Sequence, residues 1–120
     1  MIKLVYCMRK RADISSEAFH KYWSEKHAPL VRSLAGATQA QKYIQSHTIE
    51  PEFNEALLRL RGVAEPYDGV AEVWFESIGS FQSPDAREAR KKLIEDEAEF
   101  IDFSRSSMFI TEEHFIFDLT

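Results

Sequence analysis

Residues 1–31 read MIKLVYCMRKRADISSEAFHKYWSEKHAPLV, and the order of signals in this stretch decides how the rest of the chain is assembled. IKLVYCM (2–8) is short and rich in β-formers, which predicts a strand. DISS follows, with Ser15 or Asp13 able to accept from the free amides of a first helical turn. Phe19, Tyr22, Trp23, Leu30, Val31 and Leu34 then recur at the i, i+3, i+4, i+7 spacing of an apolar helix stripe. His27 falls inside that stripe, and Pro29 stands two residues on. A proline in a helix interior removes a backbone donor and crowds the preceding turn, at a cost of about 3 kcal/mol. The helix is therefore expected to kink or restart near Ala28 and Pro29, freeing the carbonyl of Glu25, and to end in AGAT (35–38) with Gly36 as its stop.

QAQKYIQSHTI (39–49) alternates and predicts a second strand, with Gln39, Gln41, Tyr43, Gln45 and His47 on one face. PEFNEALLRLRG (51–62) has a proline start, a glycine end and Phe53, Ala56, Leu57 and Leu60 as its apolar face, so a helix is expected there. VAEVWFES (70–77) predicts a third strand. Ser83, Pro84 and Asp85 open a helix whose apolar positions include Ala86, Ala89, Leu93, Phe100 and Ile101. SMFITEEHFIFDL (107–119) is expected to close the chain as a fourth strand. The order strand, helix, strand, strand, helix, strand is the ferredoxin-like βαββαβ pattern. It predicts an α+β fold with a four-stranded antiparallel sheet, two helices on one face and a helical insert between strands 2 and 3. Both faces of the first and fourth strands are apolar, yet two helices cover only one face. A second copy of the same sheet is the simplest cover, so a homodimer packed sheet to sheet is expected.

The 120 residues, 44 % hydrophobic and 29 % charged, suit one domain spanning 1–120 with a single core. The single cysteine, Cys7, excludes an intramolecular disulfide and reads as a structural thiol. A net charge of −5 argues against a nucleic-acid partner. No apolar run is long enough to span a bilayer and no leader pattern is present, so no membrane partner and a cytoplasmic location are expected. The four histidines are scattered and no phosphate-binding glycine loop occurs, so no metal and no cofactor are expected.

Polar residues on elements expected to be buried mark the candidate site. His27 is either a buried neutral imidazole bonded to a carbonyl or an acid/base group facing a pocket, and the spacing alone leaves both open. Tyr43 and Gln45 share one strand face, which suggests an internal network or a polar-lined cavity. Glu72 shares a face with Trp74 and needs a partner, which is Lys3 or a ligand. Trp23, Gln45, Glu72 and Trp74 are the expected ligand-binding residues. His20 and His114 are assigned to the surface and His47 to the rim or solvent.

WSEKHAPL (23–30), YIQSHT, PYDGVAEVWFES and DEAEFID together resemble the EthD-like family of dimeric α+β barrels, over essentially the whole chain. The resemblance implies the same fold, a dimer with facing sheets, and a pocket between sheet and helices. The family includes a protein encoded with an ether-degrading oxygenase system and is similar to cofactor-free lactone isomerases and to polyketide dehydratases and cyclases. By that resemblance His27 and Tyr43 are the catalytic candidates. The expected function is a cofactor-free isomerase, dehydratase or cyclase acting on a small hydrophobic, oxygenated molecule. The alternative is a non-catalytic binding or accessory protein in ether or aromatic catabolism.

Overall fold

The computed structural model describes residues 1–120. Four strands, β1 (Ile2–Met8), β2 (Lys42–His47), β3 (Gly69–Phe75) and β4 (Ser107–Thr111), form one antiparallel sheet in the order β2-β3-β1-β4. With the helices inserted this is the ferredoxin-like arrangement expected from the sequence. The fourth strand is shorter than its apolar pattern predicted, because it stops at Thr111 and residues 112–120 join no element.

The first helical arm is built in pieces. In α1 (Ser16–Tyr22) the Ser15 hydroxyl accepts from the Ala18 amide, so of the two expected caps Ser15 is the one used. A π turn follows at Trp23–His27, and α2 (Ala28–Ser33) continues the axis. The expected disturbance at Pro29 is met by this wider turn, in which the Ala28 amide donates to the Trp23 carbonyl five residues back. Gly36 does not stop the arm. A short α3 (Ala35–Thr38) runs through it, and Gln39 adopts the left-handed conformation at φ 62° instead.

The insert forms α4 (Pro51–Arg61), ended by Gly62 at φ 64°, as its sequence predicts. Its apolar face is solvent-facing, with Phe53 and Leu60 largely exposed. A single turn, α5 (Ile78–Phe81), precedes α6 (Pro84–Glu97), where Ser83 accepts from the Ala86 amide. The basic residues 9–11 are structural. Arg9 donates to the carbonyls of Glu65 and Pro66 and lies over the Tyr67 ring, while Arg11 pairs with Asp13.

The core lies between the sheet and the helical layer, where Phe19, Trp23, Phe100 and Ile101 meet Met8 and Ala71. The Trp23 ring fills the place a side chain would take at Gly69: a Cβ there would clash with the indole. This contact explains why glycine begins β3 and fixes the plane of Trp23 above the sheet. No helix is long and apolar enough to cross a membrane.

Candidate active site

A cavity of about 250 Å³ opens between the sheet and the helices. Its walls are mainly apolar, from Leu4, Met8, Ala71, Val73 and Phe75 on the sheet to Val31, Leu93 and Ile101 on the helical side. The polar groups on this wall are few: His27, Tyr43, Tyr6, Thr38, Glu97 and Arg90. A pocket that is apolar apart from a few convergent polar groups suits a small organic molecule.

His27 ends the π turn and is 5 % exposed. Its Nδ1 lies 2.7 Å from Asp96 Oδ2, and the other Asp96 oxygen accepts from the Tyr22 hydroxyl at 2.6 Å. An ionised carboxylate only accepts, so Nδ1 carries the proton and Nε2 holds a lone pair. Nε2 has no protein partner and keeps accessible surface on the cavity. Burial lowers the proton affinity of His27, and the nearby Asp96 carboxylate offsets part of that effect. The imidazole is thus neutral at pH 7, held in one tautomer, with its basic nitrogen inward. The hydrogen bond that the Tyr22 hydroxyl donates to Asp96 pushes the Tyr22 pKa up to about 12.

Tyr43 approaches from β2 and is restrained by two donors. Its hydroxyl oxygen accepts from Trp23 Nε1–H at 3.2 Å and from Gln45 Nε2–H at 2.9 Å. Neither neighbour takes the hydroxyl proton, so that proton is available to a ligand. Burial raises the Tyr43 pKa and keeps it a donor. Behind Gln45 the chain of bonds continues: Gln45 Oε1 accepts from His47 Nε2–H at 2.8 Å, which leaves His47 Nδ1 to accept from His20 Nδ1–H at 2.7 Å. His20 and His47 therefore meet as a half-buried pair, which corrects their assignment to surface and rim.

Glu97 is the second titratable group on the cavity wall. Burial pushes its carboxyl up to about 7, against the lowering effect of the nearby Tyr6 hydroxyl, and the Asp96 charge adds to the rise. Asp96 and Glu97 are adjacent on α6, so their side chains diverge by about 100°. One orients His27 and the other faces the cavity.

The structure brings His27, Tyr43 and Trp23 to the cavity and sets Gln45 one step behind Tyr43. It does not bring Glu72 or Trp74 there, which corrects their expected role. Ala71 and Val73 face the cavity, so the intervening Glu72 and the following Trp74 point to the opposite side of the sheet. There Lys3 Nζ meets Glu72 Oε2 at 2.7 Å and Trp74 Nε1–H donates to Glu113. Lys3 and Lys42 both lie over the Trp74 ring. Cys7 shares that outer face, and burial raises its thiol pKa, as a structural thiol requires. Asp96 and Glu97 were missed because adjacent acids on a helix normally read as solvated. The available signal was spacing: Glu97 falls four residues after Leu93 and four before Ile101, on the apolar stripe itself.

The family model for the EthD domain matches residues 11–104. No curated protein matches the sequence. An ethyl tert-butyl ether D (EthD) family protein from Bacillus halodurans C-125 is 17 % identical with a TM-score of 0.59, covering 95 % of this chain and 99 % of that one. HapK from Hahella chejuensis is 10 % identical with a TM-score of 0.63, covering 100 % and 99 %. A protein of unknown function from Bacteroides fragilis NCTC 9343, described as dimeric with a ferredoxin-like fold, is 13 % identical with a TM-score of 0.59, covering 93 % and 95 %. At these identities the likeness speaks for the fold, while the domain model spans most of the sequence: the chain belongs to the EthD domain family.

Proposed function

We propose that the cavity takes a hydrophobic, oxygenated small molecule and that His27 performs cofactor-free acid/base chemistry on it, as an isomerase, dehydratase or cyclase would. One observation carries this reading: a neutral imidazole, fixed through Nδ1 by Asp96, presents an unpartnered Nε2 to an apolar cavity. Nε2 takes a proton from carbon next to a carbonyl; the electron pair of that C–H bond becomes the C=C bond of an enolate as the carbonyl π pair moves onto oxygen. The Tyr43 hydroxyl donates to that oxygen as charge develops. The imidazolium then returns the proton to another carbon, or to a departing hydroxyl, and Asp96 stabilises its charge in the interval. Glu97, protonated in part of the population at pH 7, is a second donor on the same wall.

The test uses propiophenone as a generic aryl ketone in D2O, with α-deuteration followed by NMR and binding followed by Trp23 fluorescence. Exchange above the buffer rate in wild type, lost in His27→Ala with binding retained, supports the catalytic reading. Binding without exchange in the wild-type protein overturns it and favours the non-catalytic binding role.

The homodimer belongs to the same proposal. The outer sheet face carries Val5, Cys7, Ile44, Val70 and Phe109, while the helices pack on the inner face. Phe115, Ile116, Phe117 and Leu119 beyond β4 are 72–89 % exposed. Apolar surface of this extent is rare on a monomer. Light scattering at micromolar concentration is expected to give the mass of two chains, and a mass of one chain would contradict the dimer.

A further inference from the structure

We propose that the cavity's ligand is an amphipathic organic acid whose carboxylate pairs with Arg90. The inference rests on the reading of the cavity as a small-molecule site and adds the charge of its occupant. Arg90 projects from α6 onto the cavity wall, and its Nη1 is the one buried side-chain polar atom in the chain without a hydrogen-bond partner. It also makes no salt bridge to any carboxylate. The guanidinium lies over the Phe81 ring, 4.0 Å from its centroid, which restrains the side chain at this place. An unpartnered guanidinium nitrogen in a mainly apolar wall calls for an acceptor, and a carboxylate is the acceptor that matches a guanidinium in charge and geometry.

The surroundings favour an anion at this end of the cavity. Arg90 and Phe81 also border a shallow outer groove with Arg87, so two cations stand at this end of the site although the chain carries a net charge of −5. Of the acids on α6, Glu88 pairs with Lys91 and Asp96 with His27, and none of them pairs with Arg90. Arg90 and Glu97 are seven residues apart on one helix face, which separates their backbones by about 10 Å along the axis. A ligand anchored at Arg90 therefore extends its apolar body along the cavity toward Glu97 and the far wall.

The probes are 4-phenylbutanoate and its neutral counterpart 4-phenylbutanamide, titrated by calorimetry against wild type, Arg90→Met and Arg90→Lys. Wild type is expected to bind the acid about 10- to 100-fold more tightly than the amide, the range of one charge-assisted pair in a desolvated site. Arg90→Met should erase that preference while still binding the amide, which shows that its cavity is folded. Arg90→Lys should keep part of it. Equal binding of acid and amide to wild type overturns the proposal, as does a preference that survives in Arg90→Met, and both leave ketone exchange at His27 standing. Binding of neither probe to wild type overturns the anchor for this ligand class, whereas acid preference without ketone exchange overturns only the catalytic reading.

Discussion

Replacing Asp96 by asparagine is expected to slow exchange at the cavity by about 10²–10⁴-fold while leaving ligand affinity nearly unchanged. Asp96 is not part of the cavity wall, so binding does not depend on it directly. What it supplies is a full negative charge 2.7 Å from His27 Nδ1. When Nε2 takes a proton, that charge stabilises the imidazolium, and an amide in either orientation removes it. An amide that turns its nitrogen toward Nδ1 also forces the proton onto Nε2 and blocks the base. The carboxylate holds up the proton affinity of a histidine that burial lowers. The acid limb of the residual rate profile should therefore move to lower pH in Asp96→Asn. A purely structural role would instead lower affinity and leave the pH limb in place.

The second large effect is on stability and depends on pH. Glu97 is raised from the ordinary 4.5 to about 7, so between those values the folded protein binds more protons than the unfolded chain. Stability contributed by the protonated form is complete below pH 4.5 and is lost as pH rises toward 7. Over that span the loss is about 3 kcal/mol. Glu97→Gln keeps the shape and removes the titration. Urea unfolding from pH 5 to 8 should therefore show the variant gaining about 2–3 kcal/mol on wild type, and parallel profiles would contradict the shift. The His27 contribution has the opposite sign, because a depressed histidine loses stability as pH falls through 6.5. It is common to both proteins and cancels in the comparison.

The element order, the caps at Ser15 and Ser83, and the glycine end of α4 were legible in the sequence, because each rests on local chemistry. What escaped depended on register and packing. β3 is substantially buried on both faces, so its composition does not say which parity faces the helices; Glu72 and Trp74, expected to bind a ligand, lie on the outer face, where Glu72 takes Lys3, the protein partner the sequence also offers. Residues 112–120 have the composition of a strand and no neighbouring strand to pair with. Gln39 took the left-handed position that Gly36 was expected to fill, since the short α3 runs on through Thr38. In the site, the stripe spacing puts His27 among the buried positions of the first helical arm, but nothing local names the acid that turns it. Asp96 is 69 residues away and reaches His27 only because α6 packs against the π turn.

The most direct measurement is the rate of propiophenone α-deuteration at pH 7 by wild type and by His27→Ala, with ketone binding measured on the same samples. A base held by Asp96 with Nε2 in the cavity should give catalysed exchange in wild type and a loss of about 10²–10⁴-fold in the variant at unchanged affinity. Equal exchange rates in the two proteins, with the ketone bound in both, would contradict a catalytic His27.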